Sequence, residues 1–218
     1  MAQAPHPTIV SVSGLIGSGK TSVCRELSAL TGWRVVSAGT ILRRMAEERG
    51  LSLIELNEAA KHDDSIDKLI DNQLIALIDS PEPLIVDSRL AWHFIPRAYK
   101  VHLVVDTGIA ADRVFTAQRA DESYASPQSA YRANAQRQAI ENDRFEQYYS
   151  IDCDDWKNYN LILDSSTLGP PALAEIMLNA VQNPGTSPRC LLSLQVLVSA
   201  AASSATGSVS GLFACNLT

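Results

Sequence analysis

Apolar positions along the chain fall into short unbroken runs, separated by stretches with helical spacing. Thr8–Ser13 (TIVSVS) is a β-branched run ending at Gly14, which predicts a buried strand. Lys20–Leu30 follows with Val23, Leu27 and Leu30 on one helical face. Arg34–Ser37 predicts a second strand, and Thr40–Arg49 a helix stopped by Gly50. Ser52-x-x-Glu55 has the spacing of a capping box opening another helix, and Ser65–Ile78 continues helical until Pro81 and Pro83. Leu84–Val86, Val101–Val105 and Leu161–Leu163 predict strands three to five. Among them lie a helix over Ala110–Ala120 and a long polar helix from Ser126-Pro127 to about Tyr149, and Pro170–Val181 closes the series. Strands that are continuously apolar and alternate with helices indicate a parallel sheet covered on both faces. The expected fold is therefore α/β, a three-layer sandwich on a five-stranded parallel sheet.

Composition divides this pattern in two. Of 42 charged residues in 218, only Arg189 lies beyond Gln182, so the body holds 17 basic and 24 acidic groups, net −7, against −6 for the whole chain. The body is one ordinary globular domain, long enough to need no disulfide or metal staple. Its acidic balance argues against a general binder of nucleic acid or anionic membrane, although a local basic pocket remains compatible. Residues 183–218, with seven serines and one charge, match no part of the predicted fold and are expected to form a flexible or weakly docked tail. The apolar stretch Leu191–Ala202 is 12 residues long, short of the roughly 18 of a membrane span. The cysteines, at 24, 153, 190 and 215, lack zinc-site spacing and read as small buried or idle thiols. No secretory signal is apparent at the start, so a cytoplasmic protein is expected.

Candidate chemistry begins at Gly14-Leu15-Ile16-Gly17-Ser18-Gly19-Lys20-Thr21, a complete G-x-x-x-x-G-K-[ST] motif with a strand before it and a helix after. Glycines let such a loop curl its backbone N–H groups around phosphate oxygens, at the positive end of the following helix. Lys20 reaches the β- and γ-phosphates and the Thr21 hydroxyl ligates Mg²⁺, with Ser22 next in the helix. The motif specifies a nucleoside triphosphate site without naming a reaction. No N/T-K-x-D guanine-reading motif occurs, which disfavours a GTPase.

Ligands of open α/β sheets bind beyond the carboxyl ends of the strands. Ser37-Ala38-Gly39 followed by Arg43, and Asp87-Ser88-Arg89, both fall at such ends, where a guanidinium can grip a phosphate in bidentate fashion. Ordinary surface arginines are the alternative. Arg137 and Arg144, seven apart, share a helix face in a polar segment over 119–149. They suit a mobile flap over transferring phosphates. A solvated helix with Asp143 and Glu146 as ionic partners fits the same spacing.

The run GLIGSGKTSVCRELSALTGWRVVSAGTILRRMAEERGLSL resembles the start of the cytidylate kinases, especially their short archaeal form. DSRLAWHF is similar to that family's acceptor-phosphate motif, E/D-S/G-R-L-A-G-W, and RQAIENDRFEQYYSID to its lid segment ending Y-G-I-D. ILDSSTLGPPALAEIML resembles its last strand and helix, so the likeness spans about residues 8–182. The resemblance implies a P-loop NTPase fold over residues 1–182, with a helical acceptor-binding insertion at about 38–80 and a lid at about 119–150. It implies ATP and Mg²⁺, with CMP or dCMP as acceptor; a monomer is expected. By it, Ser37, Gly39, Arg43 and Arg89, beside Asp87, would hold the acceptor phosphate, and Asp87 would orient Mg²⁺ through water. Lys20 with Arg119, Arg137 and Arg144 would act on the transferring group, and Ser165 to Thr167 would lie near adenine. This chain departs from the family at Asn142, where a further lid arginine is usual, at Ser150, which replaces the lid glycine, and at Trp92, where glycine is expected. The competing readings are a related P-loop kinase with another small acceptor and a regulatory nucleotide-binding module that transfers poorly.

Overall fold

The computed structural model describes residues 8–60, 63, 65–117, 124–185 and 189–192. Strand β1 (Ile9–Gly14) is buried at all six positions because it lies inside a parallel sheet covered on both faces. The sheet order is β2-β3-β1-β4-β5-β6, with β2 at Arg34–Ser37, β3 at Leu84–Asp87, β4 at Tyr99–Val104, β5 at Leu161–Asp164 and β6 at Cys190–Leu191. Every pairing is parallel.

The sheet thus has six strands where five were expected. In β6, Cys190 pairs with Ile162 and Leu191 with Leu163, and the Arg189 carbonyl accepts from the Ile162 N–H at 2.8 Å. The start of the supposed tail therefore belongs to the sheet. Two residues are too few to show any periodicity, so only the open edge of β5 reveals the strand. Cys190 is also disulfide-bonded, unlike the buried free thiols Cys24 and Cys153, which corrects the expectation of four idle cysteines.

The helices divide by face. Helices α1 (Lys20–Thr31) and α8 (Pro170–Gln182) pack Val23, Leu27, Leu173 and Met177 against Val10, Val12, Leu103 and Leu163. On the other face, α4 (Ser65–Ile75), the short α5 (Ala91–Phe94) and α7 (Pro127–Tyr149) set Ile70, Leu74, Trp92 and Phe145 against Ile9, Leu84, Val86 and Ile162. Each large side chain buried this way is worth about 1.5–3 kcal/mol. Between β2 and β3, α2 (Ala38–Arg49), α3 (Leu53–Ala59) and the start of α4 close a separate small core of Met45, Leu53, Leu56 and Ile66.

Local chemistry sets the helix ends. The capping box at α3 forms as the spacing predicts: Ser52 Oγ accepts from the Glu55 N–H, and Glu55 Oε2 from the Ser52 N–H at 2.8 Å. Pro127 is the first residue of α7, and Ser126 caps it. Helix α6 (Thr107–Ala117) starts three residues before the expected Ala110, because Asp106 Oδ1 accepts from the Gly108 and Ile109 N–H groups. Among the described residues, no helix is long and apolar enough to cross a membrane.

Ser150 closes α7 in the left-handed conformation, φ 55°, the one non-glycine residue with positive φ among those described. A side chain costs about 1–2 kcal/mol there, partly offset because serine loses less backbone entropy on folding than glycine. Ser150→Gly is expected to stabilise the fold by up to about 1 kcal/mol, raising the melting temperature by about 2–4 °C in circular dichroism. An unchanged or lower melting temperature would contradict strain at this cap.

Candidate active site

The loop between β1 and α1 takes its shape from two close approaches. Gly14 has φ 144°, and a Cβ there would lie 2.3 Å from the Leu103 carbonyl oxygen. Gly17, at φ 79°, passes the Ala110 backbone so closely that a Cβ would meet its oxygen at 2.7 Å. The Leu15 N–H donates to the Leu103 carbonyl at 3.0 Å, tying the loop to β4. Gly19 caps α1 with no side chain bonded to the first turn, leaving the helix's positive end facing the loop. Lys20 Nζ donates to the carbonyls of Gly14 and Leu15 at 2.8 and 2.9 Å. Burial lowers its pKa to about 8, with the Asp87 charge resisting.

Strand ends complete the wall. Register places Asp87 beside Val12 of β1 and Ser37 of β2. Asp87 Oδ2 accepts from Thr21 Oγ1 at 2.8 Å and from Ser37 Oγ at 3.3 Å. The same Ser37 Oγ accepts from the Thr40 N–H and so caps α2, aiming that helix's N-terminus at the cleft. Ile16, Ser22, Gly39 and Arg43 line the same cleft, of about 170 Å³, and the Arg43 guanidinium folds back to Thr40 Oγ1 at 3.5 Å.

Helix α7 supplies the roof. Arg137, Glu141 and Arg144 follow at one-turn intervals and all line the cleft. Glu141 Oε1 accepts from Arg137 Nε at 2.8 Å, and Oε2 from Arg89 Nη1 at 2.6 Å. Burial alone would raise the Glu141 pKa, but Arg137 and Arg89 outweigh it and hold the carboxyl at about 2. Arg144 is 3% exposed and donates to the carbonyl and side-chain oxygens of Asn57 at 3.1 and 3.0 Å. Its Nε lies 2.9 Å from Asp67 Oδ2, a close ion pair whose angle falls short of an aligned hydrogen bond. Burial raises Asp67 to about 6 despite Arg144. Asp71, one turn further along α4, accepts from the Tyr149 hydroxyl at 2.7 Å. A wholly solvated α7 is thereby excluded: Arg137 and Arg144 face inward, while Asp143 and Glu146 are exposed.

Across the loop, a second cavity of about 250 Å³ is lined by Gly17, Ser18, Ser22, Arg113, Ser165 and Leu168 among others. Arg113 Nη2 donates to the Ser165 carbonyl at 2.7 Å. Thr167 is exposed and does not line it. Arg119 lies outside the described residues.

One cleft thus gathers most of the residues picked from sequence: the glycine loop, Lys20, Thr21, Ser37, Gly39, Arg43, Asp87, Arg89, Arg137 and Arg144. Sequence reasoning missed Glu141, Asn57, Asp67 and Arg113. Glu141 had a local signal, four residues after Arg137 and three before Arg144. Asn57 and Asp67 had none, since their partner is 87 residues away for the first and in another element for the second. Asn142, at the departure from the family, accepts from Arg89 Nη2 and donates to Asp154 Oδ2 at 2.8 Å.

A family model described as an AAA domain matches residues 10–147. A cytidylate kinase of Haloarcula marismortui is 33% identical over 177 residues, 80% of this chain and 90% of that protein. The chain belongs to the cytidylate kinase family. A cytidylate kinase of Halobacterium salinarum is likewise 33% identical, over 79% of this chain and 88% of its own. Shikimate kinase from Acinetobacter baumannii superposes with a TM-score of 0.54 at 15% identity, covering 82% of this chain and 94% of that one, and shares the P-loop kinase fold. The chain is accordingly a nucleoside monophosphate kinase, with its loop, strand ends and α7 converging on one cleft.

With Lys20 at a pKa of about 8, its expected role at the phosphates would make affinity depend on pH. Phosphate favours charged Lys20, and the charges that face it are those of Asp87, Arg89, Glu141 and Arg137. The affinity for ATP should fall as pH rises above about 8, by up to about tenfold per pH unit. Titration calorimetry between about pH 7 and 9.5 reads this, and Lys20→Met should bind more weakly and lose the dependence. A flat profile in the unsubstituted protein would overturn the assignment.

Proposed function

We propose that this chain transfers the γ-phosphoryl group of ATP to CMP or dCMP, giving CDP or dCDP. The observation that carries the reading is the convergence of Lys20, Arg89, Arg137 and the first turns of α1 and α2 on one cleft. A site holding two phosphate groups end to end needs such cationic walls on both sides. Cytosine as the acceptor base is supported by the names of the relatives.

An oxygen of the acceptor phosphate attacks the γ-phosphorus in line, the bond from that phosphorus to the β–γ bridging oxygen breaks, and ADP leaves. The attacking oxygen is already anionic, so no protein base is required. Ser37, Gly39, Arg43 and Arg89 hold the acceptor phosphate, with the insertion formed by α2 to α4 around its nucleoside. Lys20 and Arg137 face the charge that spreads over the transferring oxygens, with Arg119 and Arg144 on the same lid segment. The second cavity, beside Ser165 and Arg113, suits adenine. Thr21 and Asp87 offer hard oxygen donors 2.8 Å apart, a set that fits Mg²⁺, directly at Thr21 and through water at Asp87. Bound there, Mg²⁺ would neutralise β- and γ-phosphate charge. A monomer is part of this reading, since one chain supplies every group it uses.

Release of ADP from MgATP with CMP, dCMP, UMP and AMP in turn tests the proposal. Turnover should be fastest with CMP or dCMP. Fast turnover with AMP alone would move the chain to another acceptor, and no acceptor-dependent release would leave a nucleotide-binding module. Arg89→Ala should raise the acceptor KM by about 10- to 100-fold and leave the ATP KM nearly unchanged, as loss of a charged hydrogen-bond partner does. Equal effects on both constants would contradict an acceptor-phosphate role.

A further inference from the structure

Among the described residues, Glu141 is the one acid of the cleft that bonds two of its arginines. It comes from the middle of α7, its side chain is 6% exposed, and each carboxylate oxygen serves a different guanidinium. Arg89 arrives from the end of β3 and Arg137 from α7 itself, so a single carboxylate ties a group of the rigid sheet to one of the roof helix. Asn142, the next residue, accepts from the second terminal nitrogen of Arg89. Two adjacent side chains of α7 therefore set the plane of the Arg89 guanidinium.

From this geometry we infer that Glu141 is a positioning residue for phosphoryl transfer: it presets Arg89 and Arg137 in one arrangement across the junction of sheet and helix. The inference rests on the kinase reading above. A buried carboxylate with two arginines costs desolvation that an apolar contact would avoid, so stability alone is a weak reason for such a cluster. Its chemical use lies in preorganisation. Transfer gains most from charges already placed before the transition state forms, and two long arginine side chains left alone would sample many rotamers. Two guanidinium charges against one carboxylate also leave the cluster net positive for a phosphate.

The test follows from what glutamine and aspartate can each do at this position. A glutamine would keep the size but offer one acceptor oxygen, turning its NH₂ group toward the other arginine. Glu141→Gln should lower kcat about 10- to 100-fold. The acceptor KM should change by less than about threefold or fall, because a negative charge beside the phosphate is gone, and the ATP KM should stay put. Glu141→Asp keeps the charge but is one methylene too short to span both arginines, so it should lose kcat with both KM values nearly unchanged. It also serves if the glutamine variant fails to fold. Without any turnover, the Arg137 Nε–H should appear in ¹H–¹⁵N spectra of the unsubstituted protein as a slowly exchanging, downfield resonance, and vanish in either variant. Unchanged kcat in a folded variant, or an Nε–H resonance that survives substitution, would overturn the inference. So would a rise in both KM values together with a lowered melting temperature, the mark of a merely structural role. If the unsubstituted protein turns over no acceptor, the proposed function falls, while the spectra still decide whether Glu141 holds Arg137.

Discussion

One register governs this molecule: Val12 of β1 beside Asp87 of β3, and Asp87 beside Ser37 of β2. Parallel pairing brings three strand ends to the same edge of the sheet, and everything chemical is hung from that edge. Ser37 reaches Asp87 from the neighbouring strand in register with it, and Thr21 reaches the same carboxylate oxygen from the first turn of α1. A shift of one residue in β3 would turn Asp87 to the opposite face and leave both hydroxyls without it. The glycine loop depends on the same sheet, since Gly14 must pass within touching distance of Leu103 on β4.

Against that rigid edge, α7 brings charge as well as the apolar Phe145. Its inward face bears Arg137, Glu141 and Arg144, held by Arg89 from the sheet and by Asn57 and Asp67 from the insertion. Polar links of this kind are directional, so they specify an arrangement more tightly than they stabilise it. The protein as a whole is acidic at −6, yet its cleft sets Lys20 and four arginines against four acids, Asp67, Asp71, Asp87 and Glu141. Net charge thus describes the outer surface and says little of the site.

Much of this was legible in the residues. The glycine loop stood between a recognisable strand and helix, β2 and the start of α7 fell at their expected bounds, and Ser52 and Glu55 made the box their spacing implies. What could not be read has a common cause. The β6 strand is two residues long, and α5 is a single turn, so neither carries a period. Arg137 and Arg144 fit either a solvated helix or a working face, because spacing says which residues share a side and not what that side meets. Ser150 shows the reverse case: a serine stands where glycine is usual, and the left-handed backbone explains that usage.

By itself the sequence determined the alternation of strands and helices, the phosphate loop and the family to which the chain belongs, because these depend on local chemistry and on order along the chain. Only the tertiary structure decided that Glu141 joins Arg89 to Arg137, that Arg144 turns to Asn57 and Asp67, and that Cys190 and Leu191 extend the sheet. Most of these contacts join residues far apart in the chain. The closure of the sheet and the docking of α7 create these long-range pairings, which no local pattern encodes.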